Sequence, residues 1–137
     1  MMIADEELLY SFANAFFGYG NLEAPIWFVG MEEGGGTSVG EINARLTAWN
    51  QRGRRCVEDL PEFCRATRVA HLNQWFDPRS NIQRTWNRLI LMSAVLMGKE
   101  PLDLESRKVI QRSSFAREQE NESLLELFPF PSPGIRQ

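Results

Sequence analysis

Apolar residues recur at helical spacing over five stretches of the chain and form compact strand-like runs over two. Leu8, Leu9, Phe12 and Ala13 follow Asp5, Glu6 and Glu7, which predicts a short amphipathic helix over 5–13 with its acids in the first turn. Ile42, Leu46 and Trp49 share one face of a second helix, capped by Thr37 or Ser38 and ending near Gly53. Leu60 and Phe63 mark a third, opened by Asp59 or Pro61 and running to Arg68. The longest extends from Ile82 to about Gly98, where Trp86, Leu89, Ile90, Met92, Val95, Leu96 and Met97 form a wide apolar face expected to be the central core helix. Pro101 begins another, reaching about Gln111, and residues 112–122 read as loop or helix extension. The interval from His71 to Asn81 is expected to be irregular because of Pro78, with Trp75 and Phe76 buried.

Ile26 to Val29 follows Pro25 and reads as a short buried strand. Leu124 to Phe128 reads as a second, ended by a proline-rich run. Two strands separated mostly by helices predict an α/β domain with a parallel pair joined by a crossover. A sheet that small leaves edges suited to a second copy or a partner chain.

Composition narrows the class. A chain of 137 residues with 43% hydrophobic and 24% charged content is that of a single ordinary globular domain. No apolar run approaches the roughly 20 residues of a spanning helix, and no positive segment leads an apolar one at the start, so a cytoplasmic, non-membrane protein is the default expectation. Cys56 and Cys64 fit neither a CxxC site nor a thiolate cluster and are expected as free thiols. His71, the sole histidine, has no second ligand candidate nearby and is expected to be surface or structural. The net charge of −3 is uneven: residues 1–42 carry seven acids and no Lys or Arg, whereas residues 43–99 hold ten bases against four acids. That middle segment is a candidate phosphate-facing surface, although a solvated helical face explains it as simply.

The most suggestive chemistry follows the first strand. Gly30-Met31-Glu32-Glu33-Gly34-Gly35-Gly36 places two carboxylates and three glycines at a strand's carboxyl end, where α/β sheets bind ligands. The glycines leave the backbone free for left-handed φ and close approach, and the following helix start offers free N–H groups to an anion. No Lys-Ser/Thr follows, so this is not a Walker motif. A flexible acidic turn is the plain alternative. Phe16, Phe17 and Tyr19 are candidates either to stack on a base or to form a packing lid over the strand.

Four stretches, Phe16-Phe17-Gly18-Tyr19-Gly20, Trp27 to Gly35, Gln83-Arg-Thr-Trp86 and Leu124 to Pro133, resemble in order and spacing an uncharacterised branch of the uracil-DNA glycosylase-like superfamily. The resemblance implies a three-layer α/β/α fold around a parallel sheet and excision of a deaminated base from DNA without metal or cofactor. Glu32 and Glu33 would be catalytic, stabilising the sugar cation or orienting water, and coupling between adjacent carboxylates would raise one pKa. Phe17, Tyr19, Gly34, Gly35 and Glu126 would bind substrate. Relatives carry a proline in the first loop and a later His-Pro-Ser type loop, neither of which this chain shows, so the resemblance covers the N-terminal portion of the domain. A non-catalytic nucleic-acid or nucleotide-binding module and a protein-interaction unit of the same fold are the alternatives.

Overall fold

In the computed structural model residues 5–132 are described. They form six α-helices and a four-stranded sheet, a mixed α/β architecture. In chain order these are α1 (Glu6–Ala15), β1 (Gly18–Tyr19), β2 (Ile26–Gly30), α2 (Val39–Gln51), β3 (Val57–Glu58), α3 (Leu60–Thr67), α4 (Ala70–Asn73), α5 (Arg84–Leu96), α6 (Leu104–Ser113) and β4 (Glu122–Glu126). A 3-10 turn over Gln74–Phe76 follows α4, so the interval expected to be irregular holds two short helical pieces.

Most helices begin where a local signal asks them to. Asp5 accepts from Leu8 N–H, Ser38 from Glu41 N–H, Asp59 from Glu62 N–H, Gln83 from Trp86 N–H and Asp103 from Ser106 N–H, each satisfying a donor that the first turn would leave free. Gly98 follows α5 at φ 71°, the left-handed conformation that ends a helix.

The strand order is β2-β4-β1-β3. β4 pairs parallel with β2, Phe28 opposite Leu124 and Gly30 opposite Glu126, and antiparallel with β1; β1 pairs parallel with β3. β1 and β3 went unread in the sequence because two residues are too short to show a period. β4 begins two residues earlier than expected, although Leu127 and Phe128 N–H groups still donate to Gly30 and Met31 carbonyls and prolong the pairing.

β2 is the sheet edge rather than a buried strand. Trp27 is 51% and Val29 58% exposed, and Met31 and Leu127 beyond them are exposed too. Buried Val57 and Leu125 sit on the same face by register, so cover reaches the inner strands and stops short of β2. A helical layer over both faces is therefore not complete at this edge. The opposite face carries the core: Leu124, Tyr19 and the half-buried Phe28 pack with Phe12, Phe16, Trp49, Leu60, Phe63 and Phe115. Phe12 stacks on Phe16 at 4.6 Å between centroids and meets Trp49 edge-on at 5.2 Å.

α5 departs from its expected central place. Ile90 is buried and Trp86 and Leu89 half-buried, but Met92, Val95 and Leu96 face solvent. Its apolar face is wider than the surface it covers. Both thiols are free, Cys56 exposed and Cys64 buried. Among the described residues no helix is long and apolar enough to cross a membrane.

Candidate functional site

Parallel pairing of β2 with β4 delivers two loops to one end of the sheet. Glu32 and Glu33 leave β2, Glu126 ends β4, and all three line a cleft of about 330 Å³ whose other walls include His71, Trp75, Gln83 and Trp86. Gly34 and Gly35 line it as well. Of the seven residues that the resemblance implies as catalytic or substrate-binding, five therefore meet at one place, and Phe17 and Tyr19 do not.

The loop is clamped rather than flexible. Ser132 N–H donates to Glu33 O at 3.0 Å, Gly35 N–H to Ser132 O at 3.2 Å, and Glu32 accepts from Ser132 Oγ–H. A Cβ on Gly36, at φ 65°, would lie 2.2 Å from Pro131 O, so this glycine admits the chain's own later segment. Two of the N–H groups near the start of α2, those of Gly36 and Glu41, are occupied from within the chain. Gly36 N–H donates to Glu41 Oε2 at 3.1 Å, and Ser38 caps α2.

Behind the loop lies a buried charged network. Arg45 Nη1 is 2.9 Å from Glu33 Oε2, and its Nε and Nη2 make a forked pair with Glu41 Oε1. Burial opposes the Arg45 charge, but Tyr19, Glu33 and Glu41 outweigh it and hold the guanidinium firmly protonated. Burial would likewise raise Glu41, yet Gly36 N–H, Arg45 and His71 together hold it below the usual carboxylate range. His71 Nε2 lies 3.2 Å from Glu41 Oε2, at the cleft edge. Its role is that of a surface partner to Glu41, and among the described residues no group of three or more His, Cys, Asp or Glu is placed to hold a metal ion.

Tyr19 belongs to this network and not to a stacking surface. Its ring is 2% exposed, against Phe16 and Phe63, while its hydroxyl donates to Glu33 Oε2 at 2.9 Å. Burial, with Glu33 beside it, pushes that hydroxyl well above the usual phenol range, which keeps it a donor. Phe16 is buried in the core as well. Phe17 accepts from Glu126 N–H through its carbonyl, but its half-exposed ring is not part of the cleft wall. The cleft's aromatic surface comes instead from Trp86, set against Phe76, Trp75 and Phe115.

Glu126 is the unusual group. Its Oε2 is buried and accepts no hydrogen bond among the described residues. Burial, then the nearby Glu33 and Glu32, push the carboxyl up to about 7. A Cβ on Gly30 would stand 2.5 Å from that oxygen, so the glycine at the end of β2 makes room for it. Glu126 thus sits across the strand pair from the acidic loop, with both of that loop's carboxylates contributing to its rise. Cys64 also lines the cleft, its thiol pushed up by burial and Glu33, and so it remains an unreactive thiol.

The sequence reading missed Arg45 and Glu41. Their i,i+4 spacing on a helix directly after the acidic loop was a usable signal. The mixed α/β fold and this carboxyl-rich cleft define the molecule's class. Compared with protein-family models, curated proteins and solved structures, the chain matches none.

Proposed function

We propose that the chain hydrolyses the N-glycosidic bond of a deaminated base in DNA, as a glycosylase of the uracil-DNA glycosylase-like kind. The observation that supports it is a carboxyl, Glu126, whose buried Oε2 has no partner among the described residues, beside an arginine-held carboxylate, Glu33, in an aromatic-walled cleft at the carboxyl ends of two parallel strands. A group pushed to about 7 is partly protonated at neutral pH and suits a general acid. Glu126 gives its proton to the departing base as the C1′–N bond breaks and its electron pair goes to the base nitrogen. The positive charge left on the sugar is stabilised by Glu33, which Arg45 and Tyr19 hold in place. Glu32, at the solvent side, orients a water whose oxygen bonds to C1′ and accepts the proton it releases. The base lies against Trp86.

The test is release of free base from oligonucleotides carrying uracil, hypoxanthine or xanthine, by chain shown to melt cooperatively. Release that is lost in Glu126→Gln supports the reading, and no release from the folded chain overturns it. A second reading, an interaction module, draws on the exposed apolar face of the β2 edge, Trp27, Val29 and Met31. A monomeric mass at high concentration, unchanged by Val29→Lys, would remove the version in which a second copy pairs there.

A further inference from the structure

Beyond Trp75 and Gln74, which it shares with the cleft, lies a shallower groove of about 680 Å³ bordered by Asp77, Arg79 and Arg84. Its wall is a preorganised loop. Gln111, fully buried, donates from Nε2 to the carbonyls of Trp75 at 3.0 Å and Asn81 at 3.1 Å and accepts from Gln83 N–H at 2.8 Å. Ser80 Oγ–H also donates to the Trp75 carbonyl, and Arg112 to that of Pro78. A loop tied at so many points keeps its rim in one place.

The rim carries cations that the fold does not use. Arg45, Arg52, Arg55 and Arg117 are committed to acids of the domain. Arg84 has no acidic partner among the described residues, and Arg79 faces only Asp77, with Nε 3.7 Å from Oδ1 and its side chain 93% exposed. A pair that loose and wet leaves most of the charge available to another anion. Two available guanidinium groups beside a tryptophan are the chemistry of a phosphate backbone with stackable bases, and a duplex does not offer base faces to such a groove.

We propose that this groove binds the sugar-phosphate backbone of single-stranded nucleic acid leading away from the cleft, Arg79 and Arg84 each meeting a phosphate and Trp75 separating the base in the cleft from its neighbour. The inference rests on the base-hydrolysis reading for what occupies the cleft, but its test reads binding alone. Anisotropy of an end-labelled single-stranded 12-mer is measured across a salt series for the unaltered chain, for Arg79→Gln with Arg84→Gln, and for Arg65→Gln with Arg68→Gln, whose exposed side chains border neither cleft nor groove. The groove variant is expected to bind about tenfold more weakly at low salt, with the slope of log K against log salt shallower by about 1.4, while the control variant matches the unaltered chain. No strand binding, unchanged affinity and slope in the groove variant, tighter binding of duplex than of single strand, or displacement of the strand by millimolar inorganic phosphate would each overturn it. Groove-dependent binding without base release sinks only the hydrolytic reading, and base release with groove-independent binding sinks only this one.

Discussion

Two glutamates four residues apart on β4, Glu122 and Glu126, face the same side of the sheet and meet opposite fates. Glu122 is buried at the strand's beginning, where Ser93 Oγ–H donates to its Oε2 at 2.9 Å. Burial raises its pKa and the nearby Glu120 adds to the rise, while Ser93 and, less strongly, Lys99 act against it. Glu126 stands at the other end with a buried oxygen that has no partner among the described residues and with Glu33 and Glu32 nearby, so every cause acts upward. The contrast separates a buried carboxyl that the fold satisfies from one that it does not. A fold that satisfies one buried glutamate with a hydroxyl had the means to satisfy the other, and leaving it unpaired beside like charges costs stability that a site can explain.

The largest expected effect comes from removing the cation behind the unpaired end. Arg45→Met leaves Glu41 buried and Glu33 half-buried without their shared partner, and should destabilise the domain by about 3–5 kcal/mol in urea unfolding. A change within 1 kcal/mol, read against the same ~3–5 kcal/mol expectation, would mean that the network is not what holds the loop. Next is Glu126→Gln, which should lower base release by about a hundredfold or more while Glu122→Gln leaves it within a few-fold. Equal losses in both variants would erase the distinction between the two ends.

Ser93→Ala turns the satisfied end into a second unpaired one. It should cost about 1–3 kcal/mol and move Glu122 further up, followed by carboxyl titration in NMR. A further effect is on the pH profile of stability. Folding lifts Glu126 from an ordinary 4.5 to about 7, so its contribution is full below about pH 4.5 and is lost as pH rises through about 7. Glu126→Gln should therefore flatten the decline of the urea midpoint across that window. A profile that keeps its slope would show that Glu126 is not raised by folding.

Local rules carried far in this chain. Asp5, Ser38 and Asp59 start helices within a residue or two of where capping chemistry puts them, because a cap involves neighbours three residues apart. Ile26 to Val29 was legible as a strand and the loop Glu32 to Gly36 as its acidic outlet, for the same local reason. Its burial was not legible: an apolar run reads alike whether a neighbour covers it or leaves it at an edge, which is also why the exposed Met92, Val95 and Leu96 look like core residues in the sequence. The glycines of the loop were legible as a need for special backbone, but only the return of Pro131 and Ser132 says what approaches them.

Tertiary structure alone decided the candidate site. Glu33 and Glu126 become neighbours because β2 and β4 pair in parallel across almost the whole chain, and Arg45 reaches Glu33 because α2 lies behind the loop. Tyr19 sends its ring into the core and only its hydroxyl toward the charges, a choice set by what surrounds a residue and not by the residue's type. By itself the amino-acid order determined where helices begin and end and which strand carries the acids, since those depend on contacts a turn or so apart. Which carboxyl would be left without a partner depends on distances between residues nearly a hundred positions apart, and only folding closes them.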